Sequence, residues 1–356
     1  MAEKLQSRIN LLGMTRDQLG QIAVEAGQAR YRGRQLFKSI YERREQDLNG
    51  LTDLGRSFRA WLSARYQVAY PKVLREFVSR DGAVRYLLGL EDGQTIEAVY
   101  MPEDARTTVC LSSQVGCALG CKFCFTGLLG MKRNLTAGEM VGQVLSIAKA
   151  QRIPRRARLN AVFMGMGEPL LNLPALMQAV RILIDPEGLG IPWRRITIST
   201  AGVVPGLREL ARDPLRPKLA VSLNASTDEQ RTALMPLNRN YPLRDLLQAC
   251  RSYPLRPRER LTFEYVMLDG LNDSDADAVR VGELLRGIRC KVNLIPYNVG
   301  AELPYRASPL KRVLGFQQVL ADQGVPVFIR VSRGQDVHAA CGQLSLVGSQ
   351  GLGTRN

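Results

Sequence analysis

Cys117-Ala118-Leu119-Gly120-Cys121-Lys122-Phe123-Cys124 places three cysteines within eight residues, spaced C-x3-C-x2-C, with an aromatic residue just before the last. An odd thiol trio this tight is a poor disulfide framework, because disulfides consume cysteines in pairs. It can instead hold three irons of a 4Fe-4S cluster, whose usual ligands are cysteine thiolates. The fourth iron then lacks a protein ligand and stays open to substrate. A zinc knot completed by Cys110 is the competing reading, since zinc also takes four thiolates. Structural zinc sites favour two C-x2-C knuckles, however, and this chain has a single such pair.

Working outward, strand-like runs alternate with helical ones beyond residue 105. The expected strands are 107–111, 161–164, 195–199, 219–222, 262–266, 292–295 and 327–331. Helical patterns separate most of them, among them 137–151 and 174–184, the latter opened by a proline suited to a first helical turn. Such alternation predicts parallel βαβ units. About six units point to an α/β partial barrel open on one side, in preference to a doubly wound sheet. Functional residues of both folds gather at the carboxyl ends of the strands. There the chain carries the cysteine loop, then Gly165-Met166-Gly167-Glu168-Pro169-Leu170, then Ser199 and Ser222. Two glycines allow close backbone approach to a ligand, and Glu168 can receive a cation. Either serine could equally cap a helix.

Upstream, residues 1–68 predict a small basic helical accessory module that suits gripping RNA. Thr15 and Gln18 form a capping-box pattern, and Gly27 stops the first helix. Leu36, Phe37 and Ile40 mark the inner face of a second helix; Leu54, Phe58 and Leu62 mark a third. Between residues 69 and 104 the pattern changes to alternation around Glu91-Asp92-Gly93, which predicts a β-hairpin. The catalytic core is expected over 105–344, followed by a flexible Gly- and Ser-rich tail over 345–356.

Lysine and arginine total 49 against 33 acidic residues, a formal charge of +16 with pI near 9.9. That excess points to a polyanionic partner, because neutralised phosphates release counterions. The arginines also cluster: Arg30, Arg32 and Arg34; Arg43 and Arg44; Arg152, Arg155, Arg156 and Arg158; Arg256, Arg258 and Arg260. No secretory leader or membrane span is expected. Scattered cysteines suit a reducing interior, so a cytoplasmic location is expected.

The run Ser112-Ser113-Gln114-Val115-Gly116 leading into the cysteine loop, followed by Thr126-Gly127, resembles the RlmN/Cfr family of radical-SAM RNA methyltransferases. So do segments 165–172, 199–205, 293–298 and 339–344. Gly-Glu-Pro-Leu and the amino-terminal module look more like the RlmN branch than Cfr. The resemblance implies a radical-SAM partial (β/α)6 barrel that uses one 4Fe-4S cluster on Cys117, Cys121 and Cys124, with S-adenosylmethionine as cosubstrate. It assigns cosubstrate contacts to Gly167, Glu168, Ser199, Ser222, Leu223, Asn224 and Asn298. It makes Cys341 a methyl acceptor and Cys110 its partner in product release through a disulfide, with Glu97 as proton acceptor. One S-adenosylmethionine methylates Cys341; a second, reductively cleaved, yields a 5′-deoxyadenosyl radical that activates the S-methyl group to attack adenine carbon 2.

Implied RNA partners are 23S rRNA at the peptidyl-transferase centre and tRNA beside the anticodon. A flavodoxin- or ferredoxin-like electron donor and a thioredoxin-like reductant are also implied, and a monomer is expected. Carbon-8 methylation, the Cfr outcome, and a non-catalytic zinc-containing RNA-binding protein are the alternatives. The chain departs from the family pattern at Asn224, where many members have histidine, and at Phe125, where many have alanine. Its only histidine, His338, is assigned no role.

Overall fold

Thr15 caps the first helix, α1 (Arg16–Glu25), in the computed structural model, which describes residues 8–299 and 303–344, so the tail expected over 345–356 lies outside the described residues. The Thr15 hydroxyl accepts from the Gln18 amide at 3.4 Å, and the Gln18 side chain accepts from the Thr15 amide at 2.8 Å. Two orphan helix donors are thereby satisfied. The second helix, α2 (Tyr31–Tyr41), buries Leu36, Phe37 and Ile40. It crosses α1 glycine to glycine: a Cβ on Gly33 would lie 2.2 Å from the Gly20 nitrogen. The third helix, α3 (Arg56–Arg65), buries Phe58 and Leu62, while Leu54 packs from the turn before it.

The arginine clusters divide between two uses. Arg34 pairs with Glu187, and Arg16 reaches Asp185 at 2.8 Å and Glu187 at 3.0 Å. Arg43 pairs with Asp53 at 2.9 Å, and Arg44 donates to the Ile153 carbonyl at 2.6 Å. These cations hold the helical module together and dock it on the core. By contrast Arg152, Arg155, Arg158, Arg258 and Arg260 are exposed and have no carboxylate partner among the described residues.

The alternating region forms a three-stranded meander of β1 (Lys72–Val78), β2 (Val84–Gly89) and β3 (Thr95–Glu103). It does more than bridge two parts of the chain. β3 pairs antiparallel with β4 (Arg106–Cys110), so the meander and the core share one ten-stranded sheet. From β4 onward the strands are β5 (Leu159–Phe163), β6 (Ile196–Thr200), β7 (Lys218–Ser222), β8 (Leu261–Met267), β9 (Cys290–Pro296) and β10 (Val327–Ile329). Each lies parallel to its predecessor in chain order. A doubly wound sheet reverses order at its centre. Here the order never reverses and β1 and β10 do not pair with each other, so the sheet is a partial barrel.

The intervening helices bury apolar faces against it: Ala137–Ala150 is buried from Met140 to Ala148, and Leu173–Ile184 carries Pro174 in its first turn. Among the described residues no helix is long and apolar enough to cross a membrane. The carboxyl ends of the parallel strands β4 to β10 therefore open on one rim, where the connecting loops meet.

Candidate active site

Beyond β4 the chain is clamped before it turns. The buried Gln143 side chain accepts from the Ser112 amide at 2.8 Å and donates to its carbonyl at 2.9 Å. A short ribbon, Gln114–Gly116 against Met131–Asn134, then brackets the cysteine loop. Gly116 has φ +79°, and a Cβ there would lie 1.9 Å from the Gly130 oxygen, so only glycine fits. The Cys124 amide donates to the Cys121 carbonyl at 3.2 Å, and Gly127 donates to the Cys124 carbonyl at 3.0 Å. These turns bring Cys117, Cys121 and Cys124 to the wall of one cavity as free thiols.

Burial raises the Cys117 thiol to about 11 and pushes Cys121 and Cys124 up as well. The thiolates therefore need a compensating cation. Among the described residues no three His, Cys, Asp or Glu side chains form a group able to hold a single metal ion. An iron-sulfur cluster spreads its irons, takes thiolates set further apart and supplies the missing positive charge, so the donor set fits one.

The Gly-Glu segment follows β5. Gly167 has φ +99°, and a Cβ on it would lie 2.5 Å from the Gln114 Cβ, so the backbone packs hard on the ribbon. Glu168 is buried and lines the same cavity. Its carboxylate accepts from the Leu170 amide at 3.0 Å and the Ala201 amide at 2.8 Å. Burial nevertheless raises it to about 6. Ser199 and Ser222, at the ends of β6 and β7, line the cavity with Asn224 and Asn298, whereas Leu223 is buried behind it.

Asn224 has φ +57°, a conformation that asparagine tolerates better than most residues. Its side-chain oxygen accepts from the Val266 amide at 2.8 Å, tying the loop after β7 to β8. Phe125 is buried, and its amide donates to the Gly342 carbonyl at 2.9 Å, so this departure from the family pattern lies at the seam with the carboxyl-terminal loop.

That loop carries Cys341. Asn298 donates to the Cys341 carbonyl at 3.1 Å, Thr126 to the Leu344 carbonyl at 2.6 Å, and Gln343 to the Val299 carbonyl at 3.1 Å. Further back, Asp81 accepts from the Gly334 amide and the Arg333 guanidinium, both at 2.9 Å. Burial works against the Asp81 charge, but these bonds with those from Ala83 and Ser79 hold it at about 2.

Cys341 thus lines both the cluster-loop cavity and an adjoining one containing Cys110, Cys124 and Arg330. Cys341 is exposed and Cys110 is buried; burial pushes the Cys110 thiol up to about 12, while the nearby Arg330 charge opposes the rise. The two are free thiols, so the disulfide expected between them is not present in this structure. Glu97 is brought less close: it is buried against Arg85 and lines neither cavity. His338 is exposed in a left-handed turn.

Two site residues carry no motif. Arg231 is fully buried. It donates to the carbonyls of Ala201 at 2.6 Å and of Leu223 and Ser222 at 3.2 Å, stitching together the ends of β6 and β7. Burial lowers it to about 10, and the Cys121 charge works the other way. Glu264 lies inside β8 and lines the cavity beside Cys341. A single acidic residue in Leu-Thr-Phe-Glu-Tyr-Val-Met, otherwise a buried-strand pattern, was the available signal.

Comparison with known proteins adds the following. Residues 111–281 match the radical SAM superfamily, and residues 9–68 match the ribosomal RNA large subunit methyltransferase N-terminal domain. The chain is 48% identical over 335 residues to a probable dual-specificity RNA methyltransferase RlmN of Koribacter versatilis, covering 89% of this chain and 96% of that one. It is 48% identical over 320 residues to the dual-specificity RNA methyltransferase RlmN of Syntrophobacter fumaroxidans, covering 89% and 92%. The crystal structure of a radical SAM methyltransferase from Sphaerobacter thermophilus superposes with a TM-score of 0.89 at 46% identity, covering 94% of this chain and 99% of that one.

Proposed function

Since this chain belongs to the RlmN family of radical-SAM RNA methyltransferases, we propose that it methylates carbon 2 of adenosine in 23S rRNA at the peptidyl-transferase centre and in tRNA beside the anticodon. The observation that carries this reading is the seam between the two thiol-bearing loops: Phe125 to Gly342, Thr126 to Leu344 and Asn298 to Cys341. It sets Cys341 on the cavity that the cysteine trio lines. Such placement suits a thiol that first accepts a methyl group and then presents it.

A 4Fe-4S cluster on Cys117, Cys121 and Cys124 would supply the electron for reductive cleavage of S-adenosylmethionine, drawn from a flavodoxin- or ferredoxin-like donor. Glu168 receives the ammonium of the bound amino acid, its own backbone bonds fixing the carboxylate in place. Gly167, Ser199, Ser222, Leu223, Asn224 and Asn298 shape the remaining contacts. Cys341, as thiolate, displaces the sulfonium methyl: one sulfur–carbon bond forms as the other breaks. Its methyl group then faces the electron-poor carbon between the two ring nitrogens of adenine.

Cys110 shares the second cavity with Cys341 and suits release of the RNA, leaving a disulfide that a thioredoxin-like protein reduces. Glu97 stands on the same face of the sheet as Cys110: its strand neighbour Val99 pairs directly with Cys110. That face suits proton acceptance once the RNA is seated. The protein works as a cytoplasmic monomer in this reading.

Nucleoside mass spectrometry on rRNA and tRNA from cells with and without the gene tests it. We expect 2-methyladenosine in both RNAs only when the gene is present. Accumulation of 8-methyladenosine instead would overturn the carbon-2 assignment in favour of the Cfr outcome.

A further inference from the structure

Register places Glu264 in a polar row. Ser222 on β7 pairs with Glu264 on β8, which pairs with Asn293 on β9. Paired residues of neighbouring parallel strands leave a sheet on the same side, about 4.8 Å apart. The Asn293 amide donates to Glu264 Oε1 at 3.0 Å, and the Arg330 guanidinium stands 3.8 Å from the same oxygen. Oε2 is buried and has no hydrogen-bond partner among the described residues. A buried carboxylate is costly to desolvate and normally has its lone pairs filled. This one is fixed on one side and unfilled on the other, in the wall of the cavity that also exposes Ser222.

We propose that Glu264 accepts hydrogen bonds from the ribose hydroxyls of the S-adenosyl nucleoside occupying this cavity. The inference rests on the cosubstrate reading given above and adds a residue to it. The ammonium end of that molecule belongs at Glu168, after β5, so β8 lies three strands along the rim toward the nucleoside end. A vicinal diol offers two donors, and an acidic side chain is an established way to hold a ribose in dinucleotide folds. A nucleotide within an RNA chain has only its 2′-hydroxyl free. The two-donor match therefore favours the nucleoside over the RNA.

The test is equilibrium binding of S-adenosylhomocysteine, and of its 2′-deoxy and 3′-deoxy forms, to the anaerobically reconstituted holoenzyme. For the wild type each missing hydroxyl should weaken binding about tenfold, as for a lost bond to a charged group. Glu264→Gln keeps the Asn293 contact and turns an amide NH2, a donor that cannot accept from a hydroxyl, toward the cavity. It should bind S-adenosylhomocysteine about tenfold more weakly, no longer distinguish the deoxy forms, and keep wild-type iron content and tRNA binding. Glu264→Asp, which keeps the charge and withdraws it, should fall between the two.

A glutamine variant that still discriminates the deoxy forms fully would overturn the proposal. So would a wild type indifferent to both hydroxyls. Lost tRNA binding with intact S-adenosylhomocysteine binding would also overturn it, assigning the carboxylate to an RNA 2′-hydroxyl. A wild-type holoenzyme that binds no S-adenosylhomocysteine at all would instead refute the cosubstrate reading itself.

Discussion

The cysteine loop and the arginines of α2 and its following turn are both dense runs of one residue type, and the fold treats them oppositely. Cys117, Cys121 and Cys124 reach a cavity wall as free thiols, and burial pushes each of them up. Arg34 and Arg43 are completed within the chain by Glu187 and Asp53, and Arg44 by the Ile153 carbonyl. The thiols stay available to a bound group, whereas these arginines are already paired within the chain. Density of a residue type therefore marks a site only where the fold leaves its chemistry open. By that criterion Glu264 joins the cysteines, and the exposed arginines at 152, 155 and 158 are better candidates for meeting a polyanion than Arg34 of α2.

The sharpest break between the two regions comes from single substitutions. Cys121→Ala should abolish both iron incorporation after anaerobic reconstitution and all RNA methylation, while Arg34→Ala leaves iron content at the wild-type level. Iron retained in Cys121→Ala would remove that residue from the ligand set.

A smaller effect should appear in pH dependence. Glu168 is raised to about 6 by burial, so its carboxylate protonates as pH falls through that value and loses its hold on an ammonium group. S-adenosylhomocysteine affinity should fall about tenfold per pH unit below this range. Binding by Glu168→Gln should be weaker and flat over the same interval. A wild-type profile that stays flat would detach Glu168 from the ammonium.

The smallest effect belongs to the satisfied region. Glu187→Gln removes the partner of Arg34 and one partner of Arg16. Exposed pairs contribute little and are screened by salt, so the melting temperature should drop by about 2 °C at low salt and less at high salt. Methylation at saturating RNA should be unchanged. A large loss of activity would show that docking of the helical module shapes the active site.

What the sequence makes legible is local. The Thr15 capping box, the C-x3-C-x2-C spacing and the Gly-Glu loop are each set by contacts within a few residues. The order of βαβ units is also legible, because each strand pairs with its neighbour in the chain. Partners far apart are not. Glu187 lies 153 positions from Arg34, so nothing local separates a docking arginine from an RNA-binding one. The joining of the meander to the core sheet depends on the β3–β4 register, and Arg231 draws its meaning from carbonyls at the ends of two other strands. Glu264 becomes readable only once Ser222 and Asn293 stand beside it.

The central claim is that methyl groups reach RNA through Cys341. Its most direct test is to incubate the reconstituted enzyme with methyl-labelled S-adenosylmethionine, then follow the label by peptide and nucleoside mass spectrometry before and after adding RNA. The account predicts one labelled methyl group on Cys341 before RNA is added, and its appearance on adenosine carbon 2 during a chase with unlabelled cosubstrate. Labelled RNA formed by a Cys341→Ala variant, or by wild type without label ever residing on Cys341, would contradict it.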